Sequence, residues 1–166
     1  MIWPFGSPDL RVLMVCTANV CRSPAAEALL KHHLKALGAG RSIAVRSAGT
    51  EVGAPGRRPD PRVLSILDEM GVKSSGMRAK PASQQLMDEA ALVLVMEDAH
   101  RRVLCERFPE AAARIELLDV SGQEVPDPYF GNKAGVRATV ELIDRLTRSH
   151  ATTLLERLNY TGSNSV

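Results

Sequence analysis

Three cysteines, a charge balance close to neutral and the want of any long apolar run each remove a class of protein from this 166-residue chain. An odd number of cysteines, in a chain long enough to bury a core without staples, argues against a disulfide framework and for a reducing compartment. The cytoplasm is therefore the expected location. With 21 basic and 19 acidic residues the net charge is +2, too small a field to gather nucleic acid or an anionic membrane. No stretch approaches the roughly 18 uninterrupted apolar residues of a spanning helix, so no membrane insertion is expected. The first ten residues hold one apolar cluster (Ile2, Trp3, Phe5) broken by Pro4, Gly6 and Pro8. They lack the basic start and long apolar core of a signal peptide. His32, His33, His100 and His150 show no spacing that gathers ligands. They read as exposed helix residues, with neither metal nor cofactor expected. Repeats, low-complexity blocks and linkers are absent too, so residues 1–166 are expected to form one domain. Residues 1–10 would be an N-terminal extension and 150–166 a partly flexible C-terminal one, with a monomer as the expected assembly.

What is present is an alternation of strand and helix patterns. Residues 11–15 are a short apolar run rich in Val and Leu, followed by a small-residue loop and then a helical pattern that ends at Gly38. Ser23 suits that helix as N-cap and Pro24 as its first residue. Residues 42–48 read as a second strand. Asp60 and Pro61 cap a second helix that stops at Gly71. Residues 91–96 (Ala, Leu, Val, Leu, Val, Met) form the most continuous apolar run, as for a central strand buried on both faces. A helix over about 98–108, a fourth strand over 115–118, a long loop over 122–132 and a helical pattern over about 134–159, divisible into two pieces, complete the chain. This order predicts an α/β fold: a central four-stranded parallel sheet with helices on both faces and ligands at the carboxyl ends of the strands.

The loop between the first strand and first helix carries the chemistry. Cys16, Thr17, Ala18, Asn19, Val20, Cys21, Arg22 and Ser23 lie where backbone N–H groups and a helix dipole converge on an anion. A phosphate there meets Cys16 at the start of the loop and Arg22 near its end. The planar guanidinium binds two phosphoryl oxygens in a fork that lysine cannot reproduce. Positive surroundings of this kind favour thiolate over thiol, and a thiolate beside a positioned phosphate can displace it in line through a phosphocysteine intermediate. A cysteine buried in a tight turn is the plainer reading of the same residues. A phenolate leaving group also needs an acid. Asp127 is the candidate, set between Pro126 and Pro128 and followed by Tyr129 and Phe130, rings able to flank a phenyl group. Asp-Pro is also a common turn former.

The loop 16–24, the segment Ser47-Ala48-Gly49-Thr50, the run Leu94-Val95-Met96-Glu97 and the triplet Asp127-Pro128-Tyr129 occur in an order that resembles the low-molecular-weight protein tyrosine phosphatases. The likeness spans about residues 11–148. It implies that Cys16 attacks phosphorus, that Arg22 binds the phosphoryl group, and that Asp127 acts first as acid and then as base. It also implies that Asn19 and Ser47 brace the loop and that the Ser23 hydroxyl stabilises the thiolate. Cys21 matches a second loop cysteine that in similar members forms a reversible disulfide with the nucleophile; a packed small residue is the plainer alternative. Cys105, among Val103, Leu104 and Phe108, reads as a core or surface thiol. The resemblance further implies a tyrosine-phosphorylated protein as substrate, such as a bacterial tyrosine kinase linked to exopolysaccharide synthesis.

Two departures stand out. Met77 follows Gly76 where many relatives have histidine, and Lys80 stands where arginine is usual. The pocket wall over 51–58 offers Val52, Arg57 and Arg58 but no aromatic residue; with Tyr129 and Phe130, Val52 is the expected pocket lining. The two arginines would either favour acidic sequence beside the phosphotyrosine or, the plainer reading, belong to a solvated loop. Two other functions use a similar loop: an arsenate reductase, which needs a relay of further cysteines, and a catalytically silent phosphate-binding protein.

Overall fold

A computed structural model describes residues 8–163. Seven consecutive residues of Val and Leu character, Leu10–Cys16, form β1, whose last five residues are buried. Burial on both faces requires neighbours on both edges, and β1 has them. It pairs in parallel with β2 (Ile43–Gly49) and with β3 (Leu92–Val95), and β3 pairs in parallel with β4 (Ile115–Leu117). The strand order is β2-β1-β3-β4. The expected parallel sheet and its central apolar strand are both observed.

Helices cover both faces. On one, α1 (Arg22–Ala36), α2 (Pro61–Glu69) and α5 (Lys133–Ser163) enclose a core that includes Met14, Leu29, Leu30, Ile66, Leu94 and Ile143. On the other, α3 (Gln84–Glu89) and α4 (Asp98–Arg107) cover Leu13, Val15, Val93 and Val95. Alternate residues of β1 and β3 thus enter opposite cores, the consequence of a period of two in a sheet packed on both sides. Among the described residues no helix is long and apolar enough to cross a membrane.

Several expectations need correction. The helix pattern over 134–159 is one uninterrupted helix that continues to Ser163. The expected C-terminal extension is therefore part of the fold as far as described, with His150, Ala151 and Leu154 buried; residues 1–7 and 164–166 lie outside the described chain. Helix α3, which sequence reading passed over, is only six residues long, too short for a periodic pattern to register, and owes its start to Ser83, whose side chain accepts the Leu86 N–H. Helix α2 begins as expected, with Asp60 accepting the Arg62 N–H at 2.9 Å and Pro61 in the first turn. Helix α1 does not: it starts at Arg22, with Cys21 as N-cap, and Ser23 makes no cap bond. Its hydroxyl is engaged elsewhere.

Candidate active site

The register Cys16↔Gly49 and Val15↔Val95 brings the carboxyl ends of three strands level. The loop leaving β1 emerges between β2 and β3, at the point where connections depart in opposite directions. Its carbonyl oxygens are tied outward: Cys16 O accepts from Thr50 N at 2.9 Å, Thr17 O from Glu51 N at 2.9 Å and Val20 O from Asp60 N at 2.8 Å. The loop runs into the N-terminus of a 15-residue helix, an end whose dipole and free N–H groups favour an anion.

Sharp reversal within this loop places Asn19 in the left-handed region, φ 58°. Asparagine tolerates that region better than most residues, and here its buried amide is fully used. The Nδ2 group donates to Ser23 Oγ at 2.8 Å and Ser47 Oγ at 3.0 Å, while Oδ1 accepts from Lys80 N at 3.0 Å. Ser47 in turn donates to Glu27, a buried carboxylate that Lys31 also reaches at 2.7 Å. Ser23 Oγ stands 3.0 Å from Cys16 Sγ. With Asn19 donating to Ser23, the serine hydroxyl has two acceptors within reach, the sulfur and Ala48 O at 3.3 Å. The two sequence departures are thereby accommodated. Lys80 serves the loop through its backbone, which any side chain permits, and Met77 packs against the main core.

Arg22 is 2% exposed, and its side chain organises the opposite wall. It pairs with Glu97, donates to Val125 O at 2.9 Å and lies 3.4 Å from Asp127 Oδ2. Glu97 had no role in the sequence reading, although Glu-x-x-His after an apolar strand is a signal that could have found it. The pair forms a capping box, with Glu97 N donating to His100 Nδ1 at 3.1 Å. That bond leaves the proton of a neutral ring on Nε2, which is 2.8 Å from Thr17 Oγ1. His100 is thus a buried support of the phosphate loop and not the exposed residue expected; burial first, and the Arg22 charge second, hold it below its ordinary value of 6.5. His150 is also buried, 2.7 Å from Leu118 O, and His33 contacts Asp144 at 2.8 Å. Of the four histidines only His32 is exposed.

Cys16, Thr17, Ala18, Val20, Cys21, Arg22, Asp127, Tyr129 and Phe130 line one cleft of about 370 Å³. Asn19, Ser23 and Ser47 stand behind it as supports. Phe130 is 96% exposed and packs edge-on to Tyr129. Val52 does not line the cleft. It packs against the main core, and Gly53, Ala54 and Arg57 form that wall instead, with the Arg57 guanidinium 6.0 Å from the centre of the Tyr129 ring. Cys21 is buried, and desolvation together with the nearby Asp60 charge pushes its thiol up to about 12. Cys105 belongs to the other side of the sheet, packed against the second core.

The chain is similar in sequence and fold to known proteins. Residues 11–160 match the model of the low molecular weight phosphotyrosine protein phosphatases. The chain is 35% identical over 147 residues to the low molecular weight protein-tyrosine-phosphatase Wzb of Salmonella typhi, covering 87% of this chain and 93% of that one. Among solved structures it resembles Vibrio vulnificus Wzb in complex with benzylphosphonate (TM-score 0.80, 27% identity, 87% and 98% coverage). It also resembles the YwlE arginine phosphatase of Geobacillus stearothermophilus (TM-score 0.81, 33% identity, 89% and 94% coverage). With fold, loop and extent of similarity in agreement, the chain belongs to the low molecular weight phosphotyrosine protein phosphatase family and is an enzyme of that family.

Proposed function

We propose that the chain hydrolyses phosphotyrosine in proteins by two displacements at Cys16. The observation that carries this reading is the convergence of Cys16, Arg22 and Asp127 on one cleft whose rim is aromatic. The phosphoryl group sits against the loop N–H groups of residues 17–22 and the Arg22 fork. Its oxygens take over the guanidinium edge that now faces Asp127, and Asp127 turns to the ester oxygen. The Cys16 sulfur forms a bond to phosphorus as the phosphorus–oxygen bond breaks, and Asp127 gives its proton to the departing phenolate. In the second step Asp127 takes a proton from water, the water oxygen bonds to phosphorus, and the sulfur leaves as thiolate with Ser23 donating to it. Asn19, Ser47 and Glu27 keep the loop in the shape this requires.

Tyr129 and Phe130 suit a phenyl ring, and Ala18, Val20 and Ala54 keep the walls apolar. The similarity to an arginine phosphatase favours a second reading, phosphoarginine. A bound guanidinium needs carboxylate or carbonyl acceptors, and among the described residues Asp127 is the single carboxylate side chain lining the cleft, so the walls support tyrosine. An arsenate-reductase relay finds no support, since Cys105 and the loop cysteines belong to opposite sides of the sheet. The free cysteines support a reducing compartment such as the cytoplasm. Similarity to Wzb and the family resemblance support, as client, a bacterial tyrosine kinase linked to exopolysaccharide synthesis. Cys21, protonated and held by Asp60, is the nearest partner in sequence for an oxidised Cys16.

Steady-state kinetics test the reading. Cys16→Ser should abolish hydrolysis of a phosphotyrosine peptide while still binding vanadate, and Asp127→Ala should lower kcat/KM about 100-fold or more. Near-normal turnover by Cys16→Ser would overturn the mechanism; faster turnover of a phosphoarginine peptide than of its phosphotyrosine counterpart would favour the second reading.

A further inference from the structure

The loop that carries Asp127 is anchored at two levels. At its base, Val125 N–H donates to Met96 O at 2.9 Å and Val125 O accepts from Arg22. The upper anchor is Arg62, a residue to which sequence reading assigned nothing. One edge of its guanidinium grips Asp60, with Nε 3.0 Å from Oδ1 and Nη2 2.8 Å from Oδ2. The remaining N–H bonds point at the acid loop: Nη2 reaches Tyr129 O at 2.8 Å and Nη1 reaches Gly131 O at 2.6 Å. Tyr129 N–H donates to Asp127 Oδ1 at 3.1 Å. Arg62 therefore holds the same peptide segment that orients the Asp127 carboxylate.

The other end of the clamp is the nucleophile loop. Asp60 is 5% exposed, its N–H donates to Val20 O at 2.8 Å, and its Oδ2 accepts from the Cys21 thiol at 3.7 Å. Asp60 and Arg62 thus join the two loops that must meet across the phosphate, although the joined residues are 20 to 131 in sequence. A two-point fork to a buried carboxylate fixes the plane of the guanidinium, so the direction of its other N–H bonds is fixed too. The Arg62 guanidinium in turn holds the Asp60 carboxyl below the usual carboxylate range.

We propose that Arg62 is a positioning residue that sets the place of Asp127 above the phosphate loop and so controls proton delivery to the leaving group. This rests on the reading of Asp127 as the acid. A misplaced acid costs rate only where the departing oxygen needs a proton, so the effect depends on the leaving group, whereas general loosening of the fold does not. Displacement of a reacting group by about 1 Å can cost about 100-fold.

The test measures kcat/KM for Arg62→Ala, Arg62→Gln and Arg62→Lys on aryl phosphates whose phenols run from acidic (2,4-dinitrophenol) to basic (phenol, tyrosine in a peptide). The expected loss is about 10- to 100-fold at the basic end and small at the acidic end. Arg62→Lys should fail to restore the rate, because one ammonium cannot hold a carboxylate fork and two carbonyls together. Inhibition by vanadate should be unchanged. A loss uniform along the series, or none, in whichever of the variants fold would overturn the proposal. Asp127→Ala run on the same series separates the failures: if it shows the leaving-group dependence and the Arg62 variants do not, only the role of Arg62 falls; if it shows none, the acid assignment itself falls.

Discussion

Asn19 and His100 show how much of this site depends on single side chains reaching back to backbone. Replacing either leaves polar groups behind the phosphate loop without partners, the costly kind of hydrogen-bond loss at about 1–3 kcal/mol. His100 adds a pH dependence. Burial first and the Arg22 charge second hold its folded value below the ordinary 6.5, against Glu97, Asp127 and Glu124, which favour the charged ring. The unfolded chain therefore binds a proton at higher pH than the folded one, and stability falls as pH drops from about 6.5 through the folded value. Chemical denaturation at pH 7.5 and 5.0 should show the native protein losing more stability across this interval than His100→Gln, which retains a donor for Thr17 but cannot titrate. Equal losses would refute a buried neutral His100. Each unit of separation between folded and unfolded values is worth about 1.4 kcal/mol.

Between residue and fold stands the strand-loop-helix unit, whose shape depends on the neighbouring strand as much as on itself. Gly49 ends β2 directly against it: a Cβ there would meet Thr17 O at 2.5 Å, Val52 Cγ2 at 2.7 Å and the Ala18 carbonyl carbon at 3.1 Å. The obstacle is mostly backbone, which cannot swing aside as a flexible side chain would. Gly49→Ala should displace the phosphate loop, lowering kcat/KM at least about 10-fold at a stability cost of about 1–3 kcal/mol. Aryl phosphate kinetics with a melting curve check it, and unchanged kcat/KM would mean the loop does not depend on this contact. The glycine in the Ser-Ala-Gly-Thr segment thus has a steric reason, one visible only once β2 is laid beside β1.

Across the whole molecule, α5 packs on α1 and α2, and its last described turns are structural. His150 meets Leu118 O at 2.7 Å, and Leu154 is 3% exposed in the main core. Deleting residues 150–166 should cost about 3 kcal/mol from the leucine and the histidine bond together, read as a lower urea midpoint; an unchanged midpoint would show the segment to be dispensable. Amino-acid order by itself determined the alternation of strands and helices, because periods of two and 3.6 and the stops at Gly38 and Gly71 are local. It also determined the anion loop, since Cys16 and Arg22 lie six residues apart on one strand-loop-helix unit, and family resemblance extended that to Asp127. Only the tertiary structure decided the rest. Glu97, His100, Asp60 and Arg62 act through partners 39 to 83 residues away, and those distances are not written in the local pattern. Ser23 looked like a helix cap because its neighbours in sequence fit that role. Folding brought Cys16 and Asn19 to its hydroxyl, and in a buried site a polar group bonds to what packing places within reach.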